Sequence, residues 1–134
     1  MLVDTFTYSD APADVAIYEA VRGWSPETFP EPGMLPKLGV IVWDGETLVC
    51  YVCADMSNSI PRAFIDYLQT NPAVSARRRH SAVALAEKFL VERLPANGYR
   101  AILGIPIHAG VAALSQKMGY EVHSKAVLAF GKNI

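Results

Sequence analysis

The chain has 134 residues, 51% of them hydrophobic and 19% charged, which is the composition of one folded domain with a real core and not of a disordered segment. A formal net charge of −1 excludes a global attraction to nucleic acid or to an anionic membrane surface. No apolar run approaches the roughly 20 residues that a membrane-spanning helix needs.

At the N-terminus, Met1-Leu2-Val3-Asp4 carries no basic n-region; no signal peptide is expected, and the expected compartment is the cytoplasm. Leu2 to Tyr8 alternates loosely and predicts a first strand. Ser9 or Asp10 is placed to cap a helix over Ala13–Val21, in which Val15, Tyr18 and Val21 recur at helical spacing. Four prolines between Trp24 and Pro36 predict a loop or a broken short helix. Leu38–Trp43 and Glu46–Ala54 predict two strands joined by a hairpin at Asp44-Gly45. The second strand holds Cys50 and Cys53. A C-x-x-C pair can serve redox or metal chemistry, but three residues apart on a strand the thiols point to opposite faces, and other ligands at metal spacing are too few.

Ile60 to Thr70 fits two readings. Ile60, Phe64 and Leu68 have helical spacing, with Pro61 near the start, while Phe64–Gln69 is equally a buried strand. After Asn71-Pro72 comes a basic loop, Arg77-Arg78-Arg79-His80. An amphipathic helix follows, striped by Ala82, Leu85, Ala86, Phe89, Leu90 and Leu94, with Glu87, Lys88 and Glu92 off the stripe. Pro95 and Asn97-Gly98 end it. Ala101–Ile107 predicts a buried strand. Val111, Leu114 and Met118 stripe a further helix with Gly119 as its C-terminal cap. Val122–Phe130 predicts a final strand, apolar enough to pair across a homodimer.

A basic turn running into a helix N-terminus is a physical recipe for holding a phosphate, because the first amides are unpaired and the helix end carries partial positive charge. The residues from Arg77 to Ala82 are placed to present those donors, and the arginines can add charge-assisted bonds. The alternative is a solvated surface turn. No nucleophile elbow and no Walker-type lysine loop is present, so hydrolase and P-loop chemistry have no support.

The order and spacing from residue 38 to residue 122 resemble the GNAT N-acyltransferases. That family opens a helix with R-x-x-G-x-G/A after a strand, and Arg77-Arg78-Arg79-His80-Ser81-Ala82 matches at Arg77 and Ala82, with His80 at the first glycine. The family's later N-x-x-A-x-x-L-Y-x-x-x-G-F/Y is met by His108 to Tyr120, which match at Leu114, Gly119 and Tyr120. His108 replaces the asparagine, Val111 the alanine and Ser115 the tyrosine. Asp66 to Pro72 also resembles the divergent, short GNAT-like proteins of tailed bacteriophages, in which case the compartment is the host cytoplasm.

The resemblance implies a GNAT-like α/β fold over 1–134, a mixed twisted sheet of about five to seven strands flanked by helices. It implies acetyl-CoA or a related acyl-CoA as cosubstrate and a small-molecule or protein amine as acceptor. By the same resemblance, Tyr67, Leu68 and Gln69 offer backbone groups to the pantetheine arm, in a V opened by the parting of two strands. Arg77, Arg78, Arg79, His80, Ser81 and Ala82 hold the pyrophosphate. Deprotonation of the amine falls to His108 or Asp66, with Asp55 a third candidate, and Ser115 stands where the family's proton-donating tyrosine does, though its hydroxyl is a poor acid. His123 has no assigned role. Trp24–Pro36 and Met56–Pro61 would shape the acceptor pocket. The departures at His80, His108 and Ser115 support a second expectation: a protein that keeps the fold and not the catalysis, acting as a binding or virion-associated structural protein. A nucleic-acid contact through Arg77–Arg79 is a third, weakly supported by one short patch on a net-acidic chain.

Overall fold

The computed structural model describes residues 1–56, 59–104, 109–124 and 129–133. Seven strands form one sheet: β1 (Leu2–Phe6), β2 (Leu38–Asp44), β3 (Thr47–Met56), β4 (Arg62–Thr70), β5 (Ala101–Gly104), β6 (Glu121–Ser124) and β7 (Ala129–Asn133). Three helices accompany them: α1 (Pro12–Trp24), α2 (Ala76–Arg93) and α3 (Ala109–Lys117). The strand order is β1-β2-β3-β4-β5-β7-β6. Every neighbouring pair is antiparallel except β4 and β5, which are joined by the long crossover through α2, as a parallel pair requires. Among the described residues, no helix is long and apolar enough to cross a membrane.

The hairpin forms where the sequence places it, with Gly45 and Glu46 as the two turn residues between Asp44 and Thr47. Gly45 sits at φ +60°, a conformation that glycine adopts without steric cost. Residues 60–70 resolve in favour of strand: Ala63 and Ile65 pack into one core while Tyr67 packs into the other. Two other expectations are corrected. Neither Ser9 nor Asp10 is the N-cap of α1; Ala11 holds that position, Pro12 takes the first turn, and the Ser9 hydroxyl accepts from the Ala11 amide and donates to Asp14. The proline-rich segment, expected as a loop or a broken short helix, includes a short 3-10 turn, Pro32–Met34. The expected last strand is two, β6 and β7, paired antiparallel from Glu121↔Gly131 to Ser124↔Ala129. Of the strand expected to reach Ile107, the part beyond Gly104, and His108 after it, lie outside the described residues.

Alternation along the strands builds a core on each face. Val40, Val42, Cys50, Val52 and Ala54 face α2, whose Ala82, Val83, Ala86 and Leu90 pack on them. Ile41, Tyr51 and Cys53 face α1 with Phe6, Tyr18, Val21 and Phe29. Cys50 and Cys53 therefore lie in different cores, free and buried, as their spacing on a strand predicts. Burial pushes both thiols up to about 12, so neither has the thiolate character that redox or metal use needs.

Candidate functional site

β3 and β4 run in register from Met56↔Ala63 to Cys53↔Asp66, then slip, resuming at Tyr51↔Gln69. Val52 thus faces both Tyr67 and Leu68, a β-bulge. Tyr67 is at φ +49°, the one non-glycine residue with positive φ among those described. A left-handed tyrosine is costly, so its surroundings must hold it there. The Asp66 carboxylate accepts the Tyr67 amide at 2.8 Å, and the Cys53 thiol donates to the Asp66 carbonyl at 3.2 Å.

On its other side β4 pairs in parallel with β5 from Arg62↔Ala101 to Ile65↔Gly104. From Asp66 onward β4 has no β5 partner among the described residues. A cavity of about 460 Å³ opens there, lined by Ile65–Thr70 on one side, Gly104 at its base, and residues of α2 and α3. The volume is in the range of small-molecule sites. No group of three or more His, Cys, Asp or Glu among the described residues is placed to hold a metal ion.

The helix end that borders this cavity starts earlier than the sequence suggests. Ser75 is the N-cap, its hydroxyl accepting the Arg78 amide at 3.4 Å, and α2 begins at Ala76. The arginines form its first turns and not a loop. The amides left without a helical partner belong to Ala76, Arg77 and Arg78; the Arg79 amide already bonds the Ser75 carbonyl at 3.0 Å. The basic side chains then divide. Arg79 and His80 line the cavity, and the buried Nε of Arg79 has no hydrogen-bond partner among the described residues. Arg78 turns away and pairs with Asp44 on the hairpin, its Nε donating at 2.8 Å. Arg77 is exposed, Ser81 donates to the Arg77 carbonyl at 3.1 Å, and Ala82 is fully buried in the core. So of the six residues from Arg77 to Ala82, only Arg79 and His80 reach the cavity with their side chains.

Asp66, Tyr67, Leu68 and Gln69 all line it, and so does Ser115. The Ser115 hydroxyl, however, donates to the Val111 carbonyl at 2.8 Å, so its proton is spent inside its own helix. Two phenols in the wall keep theirs. Burial raises Tyr67, with the Asp66 carboxylate adding to it. Burial also raises Tyr120, helped by the Glu87 carboxylate, although its hydroxyl is not in hydrogen-bond geometry with any described group. Both are proton donors at neutral pH.

One lining residue runs against the sequence expectation. Glu87 was read as lying off the apolar stripe of α2, yet its side chain is only 11% exposed, ion-paired with Lys132 of β7. Lys132 also donates to the Met118 carbonyl at 2.9 Å and sits 5.0 Å from the Tyr120 ring centre. The spacing Val83, Glu87, Leu90 put Glu87 on the buried side, a signal available from periodicity. Thr28, in the proline-rich segment expected to shape the acceptor pocket, also reaches the cavity. Its neighbour Phe29 explains why that segment comes so close, stacking edge-on against Tyr51 at 5.5 Å and Tyr67 at 6.1 Å.

A parallel strand pair beside a bulge, joined by a crossover helix whose first turns border the cavity, defines a class: the fold is that of the GNAT N-acyltransferases. No family model and no curated relative matches the sequence. Solved structures do match. The aminoglycoside 6'-N-acetyltransferase from Enterococcus faecium superposes with a TM-score of 0.76 at 14% identity, over 99% of this chain and 97% of that one. An aminoglycoside 6'-N-acetyltransferase complexed with coenzyme A gives 0.73 at 14% identity, again over 99% and 97%. The ribosomal-protein-S18-alanine N-acetyltransferase from Escherichia coli gives 0.70 at 11% identity, over 99% and 94%. The likeness is one of fold along nearly the whole chain.

Proposed function

We propose that this chain is an N-acyltransferase that takes an acyl group from acetyl-CoA or a related acyl-CoA and passes it to an amine. The observation that carries the reading is a cavity lined by the bulged part of β4 and by Arg79 and His80 in the first turns of α2. The unpartnered Arg79 Nε at that end fits an anionic ligand, since buried donors are nearly always satisfied. Arg79 and His80 hold the diphosphate, with the first amides of α2. The bulge from Tyr67 to Gln69 turns backbone groups to the pantetheine arm.

The amine nitrogen attacks the thioester carbonyl directly. The nitrogen–carbon bond forms, the carbon–sulfur bond breaks, the amine loses a proton and the departing thiolate gains one. One Asp66 oxygen is engaged by the Tyr67 amide, so the base is assigned to His108, by residue type. Ser115 having spent its proton, Tyr67 and Tyr120 are the acids the wall offers. A second reading, fold without catalysis, draws on two features: His80 fills the space of a glycine, and Ser115 is no acid. A nucleic-acid role for the arginines is weakened by their divergence, one paired with Asp44 and one lining the cavity.

Calorimetry with acetyl-CoA and free CoA tests the assignment. Binding in the micromolar range is expected, about −8 kcal/mol. Arg79→Ala is expected to weaken it about tenfold or more, as the loss of a charge-assisted bond does, and Arg77→Ala to change it little. No binding by the unaltered protein at millimolar ligand would leave the reading of fold without catalysis.

A further inference from the structure

Resting on the acyl-CoA reading above, we propose that Asp66 is a positioning residue: its carboxylate latches the bulge of β4 in the shape that presents the backbone of Leu68 and Gln69 to the cavity. It does so by taking the Tyr67 amide, which the one-residue slip between Tyr51↔Gln69 and Cys53↔Asp66 removes from the β3 ladder.

Three observations meet at this point. Tyr67 is held at φ +49°, where an L-residue other than glycine is strained, so something must fix it. The Asp66 Oδ1 to Tyr67 amide bond at 2.8 Å is charge-assisted and closes on the left-handed residue itself. Across the strand pair, the Cys53 thiol donates to the Asp66 carbonyl. Asp66 is therefore fixed on the side of β3 by its main chain and on the side of the bulge by its side chain. Without the carboxylate, the Tyr67 amide would need another acceptor, and the backbone at Tyr67 is free to relax towards ordinary β geometry. That relaxation would rotate the peptide groups that follow it, which line the cavity.

The role differs from that of a base in what asparagine can do. An Asn side chain at position 66 can still accept the Tyr67 amide through its oxygen, but it cannot remove a proton. The test measures acetyl-CoA affinity by calorimetry and hydrogen exchange of the Tyr67 amide by NMR, in the unaltered protein, Asp66→Ala and Asp66→Asn. Asp66→Ala is expected to lose about tenfold in affinity and the protection of the Tyr67 amide, and Asp66→Asn to restore most of both. In the Asp66→Ala background, Tyr67→Gly is expected to recover part of the affinity, because glycine accepts positive φ freely. Asn as damaging as Ala, or Ala without effect on affinity, would overturn the latch. If the unaltered protein binds no acyl-CoA, the proposed function fails, and the amide exchange judges the latch alone: protection lost in Ala and kept in Asn supports it, and equal exchange in all three refutes it.

Discussion

Cys50 and Cys53 show how much a single side chain's surroundings decide. Adjacent in a motif associated with redox chemistry, they are separated by the sheet itself and buried in different cores. Burial raises both from 9.0 to about 12. The folded state therefore holds these protons more tightly than the unfolded chain. Their contribution to stability is intact below about pH 9 and is lost as the pH rises from there towards 12, at up to about 1.4 kcal/mol per pH unit for each thiol. Tyr51 and Tyr120, also raised by burial, act in the same direction at higher pH. Urea unfolding at pH 7, 9 and 10 is expected to give a flat midpoint up to pH 9 and a falling one after it. A thiol reagent at pH 8 is expected to label neither cysteine until the protein unfolds. Arg77, Arg78 and Arg79 make the same point with charge: identical and consecutive, they point to solvent, to Asp44 and to the cavity.

At the scale of elements, the join between β1 and β2 depends on the absence of a side chain. A Cβ on Gly39 would lie 2.5 Å from the Phe6 carbonyl oxygen and 3.1 Å from the Tyr51 ring. The backbone oxygen cannot step aside, so Gly39→Ala must push β1 away from the sheet or move Tyr51. A loss of about 1–3 kcal/mol is expected, in the range of overpacked cores, measured as a shift in the urea midpoint. Gly33→Ala, with nothing within 4 Å, is the control. Elements with a strong local pattern were legible in the sequence: the Asp44-Gly45 hairpin, the stripe of α2, and the Gly119 ending after α3, at φ +89°. The start of α2 was not, because a run of arginines carries no period; Ser75 set it as N-cap. The segment from 60 to 70 was ambiguous since its apolar residues fit both periods, and pairing with β3 and β5 made it a strand.

For the whole molecule, the cavity is lined by β4 from Ile65 to Thr70 and by residues of α2 and α3, and a ligand that fills it adds contacts only in the folded state. Acetyl-CoA at about 100 times its dissociation constant is expected to stabilise the protein by about 2.7 kcal/mol, read as a rise in the thermal midpoint that falls by about half in Arg79→Ala if its affinity is about tenfold weaker. A ligand bound elsewhere would leave the two proteins with equal shifts.

The sequence by itself determined the element types with a clear period, the opposite facing of the two cysteines, and the order of motifs that resembles a GNAT fold. These depend on neighbours within a few residues, where backbone geometry fixes direction. The tertiary structure alone decided which arginine meets the cavity, that Glu87 pairs with Lys132, and that β4 bulges at Tyr67. Each of these depends on a partner distant in the chain or on a slip in strand register, and neither leaves a trace in local spacing. The pairing of β4 with β5 belongs with them: their last described pair, Ile65↔Gly104, joins residues 39 apart in the chain.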